Sequence, residues 1–323
     1  MSGALKPPPF DPEIEQALEE FAAHIVTSMT REDIPRVREA GIPPTEAACT
    51  MHGYFERREL VIPGAEGAPD IPAVTYLPRA TTRPVPVILM LHGGGLVAGR
   101  PDSDMPPASE LAAATGCGVI SVDYRLAPEH PHPAAIDDCV AALRWLSSGA
   151  APARFDASRI VLMGVSAGGG LAAVLAQHAR DHGIGPVRAV ILASPMLDAR
   201  THSLSARQML GVGSWDATAN LAAWSAYLGA DPRTAAIPPY ASASLASDFS
   251  DLPPHYIDVG SVETFRDECV EYASAIWAAG GDAELHVWPG GAHGFEFLAP
   301  WAQVSRQARA TRIAWLRRVL ARL

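Results

Sequence analysis

The sequence predicts an α/β protein, a mostly parallel eight-stranded sheet flanked by helices and carrying a helical cap. Three observations predict it. Short apolar runs rich in β-branched residues recur at 59–62, 73–77, 85–91, 118–122, 160–165, 189–193, 255–259 and 284–287. Helical stretches separate most of the later runs, at 104–115, 134–146, 167–182, 264–279 and 300–323. The chain of 323 residues, 48% hydrophobic and 19% charged, can bury one large core or two smaller ones. A strand returns parallel to its predecessor only by a long crossover, so this alternation implies a parallel sheet covered on both faces.

Residues 1–12 are Pro-rich, without the basic and apolar regions of a signal peptide. Residues 13–29 place Ile14, Leu18, Phe21, Ala22 and Ile25 on one helical face. A second helix is expected over 30–40, with Thr30 as its cap and Asp33 three positions on, stopped by 41–44. The first strands follow with no helix between them, so the sheet is expected to start antiparallel. Residues 198–252 break the alternation and hold a helix at 218–228. They lie past the sixth strand, at the carboxyl end of the sheet where open parallel sheets bind ligands. The resulting division is 1–55 as N-terminal cap helices, 56–197 as the first part of the core, 198–252 as a cap insertion and 253–323 as the second part of the core.

Composition narrows the function. Net charge is −10, from 35 acidic and 25 basic residues, with no basic stripe to hold nucleic acid. The longest apolar runs, such as 85–91, are far too short to span a membrane, so a cytoplasmic protein is expected. Lys6 is the single lysine, which removes Schiff-base chemistry elsewhere in the chain. The four cysteines, Cys49, Cys117, Cys139 and Cys269, are scattered without a C-x-x-C pair and read as buried thiols. No metal and no cofactor is expected.

Gly164-Val165-Ser166-Ala167-Gly168 joins an apolar strand to a helix. A serine at such a turn is the nucleophile elbow of serine hydrolases; a glycine-rich turn with a serine cap is the plainer alternative. His92-Gly93-Gly94-Gly95 directly follows another apolar strand. Its glycines let backbone N–H groups approach a reacting centre, where each fixed donor stabilises an oxyanion by about 2.7–4 kcal/mol. The N–H groups of Gly94, Gly95 and Ala167 are assigned to that role, with His92 and Gly93 as loop support. Of eleven histidines, His293 lies among small residues just past the last strand and is the expected base. The acid should fall between serine and histidine in chain order. Glu263 is assigned and Asp267 held in reserve. Leu96, Val97, Trp215, Trp224 and Tyr227 are candidate pocket walls, and core packing explains the aromatics equally well.

These motifs, with Asp123-Tyr124-Arg125-Leu126-Ala127-Pro128-Glu129-His130-Pro131 and His293-Gly294-Phe295, resemble the bacterial hormone-sensitive-lipase-like (family IV) esterases of the α/β-hydrolase fold. The resemblance covers residues 59–320. It implies a cap made of the N-terminal helices and the insertion, activity on short acyl esters, no cofactor and often a homodimer. It also implies that the 123–131 run braces the loops around the site. Two departures stand out. The family usually has Asp or Thr where this chain has Val165, and its acid is commonly Asp followed by Pro, where this chain has Glu263-Thr264.

The expected function is therefore a carboxylesterase acting on a small-molecule ester of short to medium acyl chain. A lactonase with the same triad is the near alternative. A small-molecule receptor on a disabled hydrolase fold is the remote one, and the presence of His293 speaks against it.

Overall fold

The structure is a computed structural model that describes residues 5–323. Residues 1–4, the start of the expected N-terminal cap segment, lie outside the described residues. Eight strands form one sheet: β1 (Phe55–Ile62), β2 (Ile71–Pro78), β3 (Val85–Leu91), β4 (Gly118–Val122), β5 (Phe155–Val165), β6 (Val187–Ala193), β7 (His255–Gly260) and β8 (Ala283–Trp288). Their order is β1-β2-β4-β3-β5-β6-β7-β8. The β1–β2 and β2–β4 pairings are antiparallel and the rest parallel, as the helix-free start of the sheet predicts.

The period of two along β3 divides the core. Val87, Leu89 and Leu91 face a layer containing α5 (Ala134–Ser147), α6 (Ala167–His182) and α9 (Arg266–Ala278). Ile88 and Met90 face α4 (Met105–Thr115) and α11 (Gln303–Leu320) on the other side. Every residue of β3 and β4 is buried, which is why both read as nearly continuous apolar runs; the polar Ser121 of β4 donates to the Pro101 carbonyl at 2.7 Å.

The remaining helices, apart from a twelve-residue one in the β6–β7 connection, are short. Before the sheet come α1 (Pro12–Glu20), α2 (Ile34–Ala40) and α3 (Glu46–Cys49). The β6–β7 connection holds α7 (Leu204–Gln208) and α8 (Ala217–Leu228), and α10 (Phe295–Leu298) follows β8. Three of these, α3, α7 and α10, escape the sequence because one turn of helix is too short to show a period. The helix expected over 13–29 ends at Glu20 and leaves Phe21 38% exposed. The chain instead turns to meet the insertion. Thr27 Oγ1 donates to the Gly213 carbonyl at 2.6 Å and Ser28 Oγ to Asp216 at 2.7 Å. The Thr30–Asp33 capping box forms, but it opens a single 3-10 turn before α2. All four cysteines are buried and free. Among the described residues no helix is long and apolar enough to cross a membrane.

Candidate active site

Ser166 follows β5 and precedes the first turn of α6, with φ 55° and ψ −119°. Positive φ is costly for a residue with a side chain, so its surroundings must hold it there. Its N–H donates to Ala193 at 2.9 Å, and its carbonyl accepts from Met196 at 2.9 Å and Gly170 at 3.0 Å. The flanking glycines have a steric cause. A Cβ on Gly164 would strike the Gly168 carbonyl, and one on Gly168 would strike the carbonyls of Leu91 and His92. The elbow therefore packs backbone against backbone on the end of β3.

His293 lies on the loop between β8 and α10, with Nε2 3.0 Å from Ser166 Oγ and Nδ1 3.1 Å from Glu263 Oε1. Glu263 sits just past β7, 1% exposed, and its other oxygen accepts from Ser194 Oγ at 2.9 Å and Gly260 N–H at 3.0 Å. Phe265 covers the imidazole edge-on, ring centroids 5.0 Å apart. Asp267, the reserve acid, is used elsewhere. It accepts from the Ser205 N–H at 2.7 Å and pairs with Arg266 at 2.8 Å, holding α7 on α9.

The triple-glycine loop faces this pair. The Gly93 carbonyl lies 2.8 Å from His92 Nδ1, and the Gly94 carbonyl accepts from Val97 at 3.1 Å and Ala98 at 2.9 Å. In a trans peptide the N–H points opposite to the carbonyl, so these contacts turn the Gly94 and Gly95 N–H groups the other way. Neither N–H has an acceptor among the described residues. Ala167 N–H, at the first position of α6, is free of helix bonding for the usual end reason. His92 is fully buried and stacked on Tyr124 at 4.2 Å, and burial pushes its pKa down to about 4. It remains neutral at neutral pH and supports the loop.

Comparison with known proteins gives the family. A family described as the alpha/beta hydrolase fold matches residues 88–297. The chain is 37% identical over 260 residues to the carboxylesterase NlhH of Mycobacterium tuberculosis, covering 80% of this chain and 81% of that one. It superposes on a bacterial heroin esterase with TM-score 0.85 at 34% identity, covering 96% and 98% of the two chains. It also superposes on an esterase from the bacterial hormone-sensitive lipase family with TM-score 0.78 at 31% identity, covering 95% and 98%. The chain belongs to the hormone-sensitive-lipase-like esterases of the α/β-hydrolase fold. Its reaction class is carboxylic ester hydrolysis.

The esterase uses its Asp123–Pro131 run as a brace. Tyr124 Oη donates to the His92 carbonyl at 2.6 Å, Arg125 pairs with Asp138 at 2.7 Å, and Glu129 pairs with Arg38 of α2 at 2.8 Å. Arg38 Nε also donates to the Val97 carbonyl at 2.6 Å, tying α2 to the glycine loop.

The candidate pocket walls separate. A Cβ on Gly95 would lie 2.6 Å from the Trp215 ring, which stands 6.4 Å from the His293 ring centre to centre. Leu96, Val97, Trp224 and Tyr227 are buried members of the main core cluster, against which Trp215 packs partly buried. Tyr227 meets His132 edge-on, with His132 Nδ1 3.1 Å from its hydroxyl. Asp216, next to Trp215, caps α8 through Ala219 N–H at 2.8 Å.

Sequence reasoning missed Ser194 and Asp104. Ser194 follows the last residue of β6 as Ser166 follows β5, and that parallel is a usable signal. Asp104 is the N-cap of α4, the residue type that opens a helix, and so passed as part of it.

Proposed function

We propose that this esterase hydrolyses short- to medium-chain acyl esters through Ser166, His293 and Glu263, by way of an acyl-enzyme. Ser166 Oγ attacks the ester carbonyl while His293 Nε2 takes its proton. Glu263 accepts from Nδ1–H, fixing the tautomer and stabilising the imidazolium. The negative oxygen of the tetrahedral intermediate lies toward the N–H groups of Gly94, Gly95 and Ala167, each contributing about 2.7–4 kcal/mol. His293 then protonates the departing alcohol. In the second half it activates water against the acyl carbonyl, and collapse frees the acid and restores Ser166.

The observation that carries this reading is the continuous line from Oγ through the imidazole to a buried carboxylate, at 3.0 Å and 3.1 Å. The N-terminal segment and the insertion, joined through Thr27 to Gly213 and Ser28 to Asp216, form the cap, and Ser214 Oγ of the insertion reaches the His293 carbonyl at 2.5 Å.

The test is a panel of p-nitrophenyl acetate, butyrate, octanoate and palmitate. Turnover of the first three, slow turnover of palmitate and background rates for Ser166→Ala are expected. No hydrolysis of any ester, or an active Ser166→Ala, would overturn the proposal.

A further inference from the structure

We propose that Asp104 is a positioning residue for the oxyanion donors, clamping the first peptide of the triple-glycine loop from the side opposite Tyr124. The proposal rests on the serine-esterase reading above. Both polar groups of the 92–93 peptide are held by side chains. Tyr124 Oη donates to its carbonyl at 2.6 Å, and Asp104 Oδ2 accepts from its N–H at 2.5 Å. The two partners come from different elements, the strand-end loop after β4 and the start of α4.

Asp104 has no other visible duty. Its side chain does not cap α4, and no ion pair engages it among the described residues. It stands at the nucleophile itself. A Cβ on Gly93 would lie 3.3 Å from Asp104 Oδ2 and 3.4 Å from Ser166 Cβ. Burial pushes its carboxyl up to about 6, against the pull of the Gly93 N–H and of His293. At pH 7 to 8 it is ionised, and its bond to Gly93 is charge-assisted.

The physical need is specific. Three consecutive glycines have more backbone freedom than any other run, and oxyanion donors work only if fixed before the reaction. The next two peptides are fixed through their carbonyls alone. If the 92–93 plane turns, the 93–94 plane turns with it, and the Gly94 N–H leaves the oxyanion. Such a loss falls on the transition state and spares ground-state binding.

Steady-state kinetics with p-nitrophenyl butyrate and a trifluoromethyl ketone, a mimic of the tetrahedral intermediate, test this. For Asp104→Ala, kcat should fall about 10–100-fold with KM within about threefold, and the ketone's Ki should rise in step with the loss of kcat/KM. Asp104→Asn keeps an acceptor oxygen and should recover kcat to within about fivefold. Should Asp104→Ala not fold, Asp104→Ser, too short to reach Gly93, takes its place with the same expectation. An unchanged kcat in the short variant, a loss confined to KM, or an Asn variant as impaired as Ala would overturn the role of Asp104 while wild-type turnover left the esterase reading standing. An inert wild type would remove both.

Discussion

Ser194 donates its hydroxyl to one oxygen of Glu263 at 2.9 Å, and the other oxygen of the same carboxylate meets His293 at 3.1 Å. The carboxylate is thus aimed from behind. Glu carries one more methylene than Asp, and the extra freedom needs an anchor. Ser194→Ala should lower kcat about tenfold, because Glu263 keeps the Gly260 N–H but loses its second donor. Glu263→Gln should lower it by about 10⁴, since an amide favours the wrong tautomer. Asp267→Asn should stay within about threefold of wild type, because that carboxylate serves Ser205 and Arg266. Turnover of p-nitrophenyl butyrate ranks the three, and a larger loss in Asp267→Asn than in Glu263→Gln would reassign the acid.

Gly168 meets the carbonyls of Leu91 and His92 where a Cβ would have to go. Neither neighbour is a flexible side chain, so Gly168→Ala must push the elbow and the glycine loop apart. Overpacking of this kind costs about 1–3 kcal/mol. The larger effect is on the distance between Ser166 and the oxyanion donors, and kcat should fall at least about a hundredfold. Urea denaturation and ester turnover, measured on one preparation, separate the two effects.

How much of this was legible depends on range. The elbow, the glycine loop and His293 announce themselves because each needs special backbone or small neighbours within five residues. The antiparallel start and parallel remainder of the sheet follow from where helices do and do not intervene, whereas the order that sets β4 between β2 and β3 does not. Asp104 and Ser194 were hidden because their roles exist only across 11 and 69 residues of chain. The end of α1 at Glu20 was hidden for the same reason. The apolar period runs on past it, and the stop is set by Thr27 and Ser28 reaching an insertion about 190 residues away. Leu96 and Val97 sit beside the catalytic loop in sequence, yet their side chains belong to the core.

Arg312 of α11 is buried and bridges Asp258 of β7 at 2.7 Å and Glu296 of α10 at 2.6 Å. Burial pushes Asp258 up to about 6 in spite of the guanidinium. The strand that leads to Glu263 and the helix that follows His293 are therefore joined through one cation. Arg312→Met leaves two buried carboxylates facing each other and should destabilise by about 3–5 kcal/mol. Its deficit should shrink as pH is lowered from 8 to 5, because the folded variant takes up protons more readily than the unfolded chain. Melting temperature against pH, variant beside wild type, checks both the size and the sign.

His255 opens β7 fully buried, with Nδ1 2.7 Å from the Pro253 carbonyl, and burial pushes its pKa down to about 4. The unfolded chain titrates at about 6.5. The folded state thus binds fewer protons between these values, so this histidine's contribution is full above about 6.5 and is lost as pH falls toward 4. Buried acids such as Asp104 work in the opposite sense, so the total slope does not isolate it. The difference between His255→Asn and wild type does. Relative to wild type, the variant should gain melting temperature between pH 7.5 and 4.5; a difference independent of pH would refute the titration of His255.

Val165 is the one elbow position where this chain leaves the family's habit of Asp or Thr, and the structure gives a reason. Its side chain packs in an apolar cluster with Met105, Met163 and Ala193, against the helix that Asp104 opens. None of these three neighbours carries a side-chain oxygen or nitrogen to meet a hydroxyl. Val165→Thr should cost about 1–2 kcal/mol in stability with kcat/KM within about threefold, since the shape is kept and an unpaired hydroxyl is buried. Val165→Asp should cost more, about 3–5 kcal/mol, because a carboxylate enters an apolar cluster with no cation to meet it. Urea denaturation measures both. An Asp variant as stable as wild type would mean that the cluster rearranges to supply a partner, and the break from the family pattern would then be free of consequence.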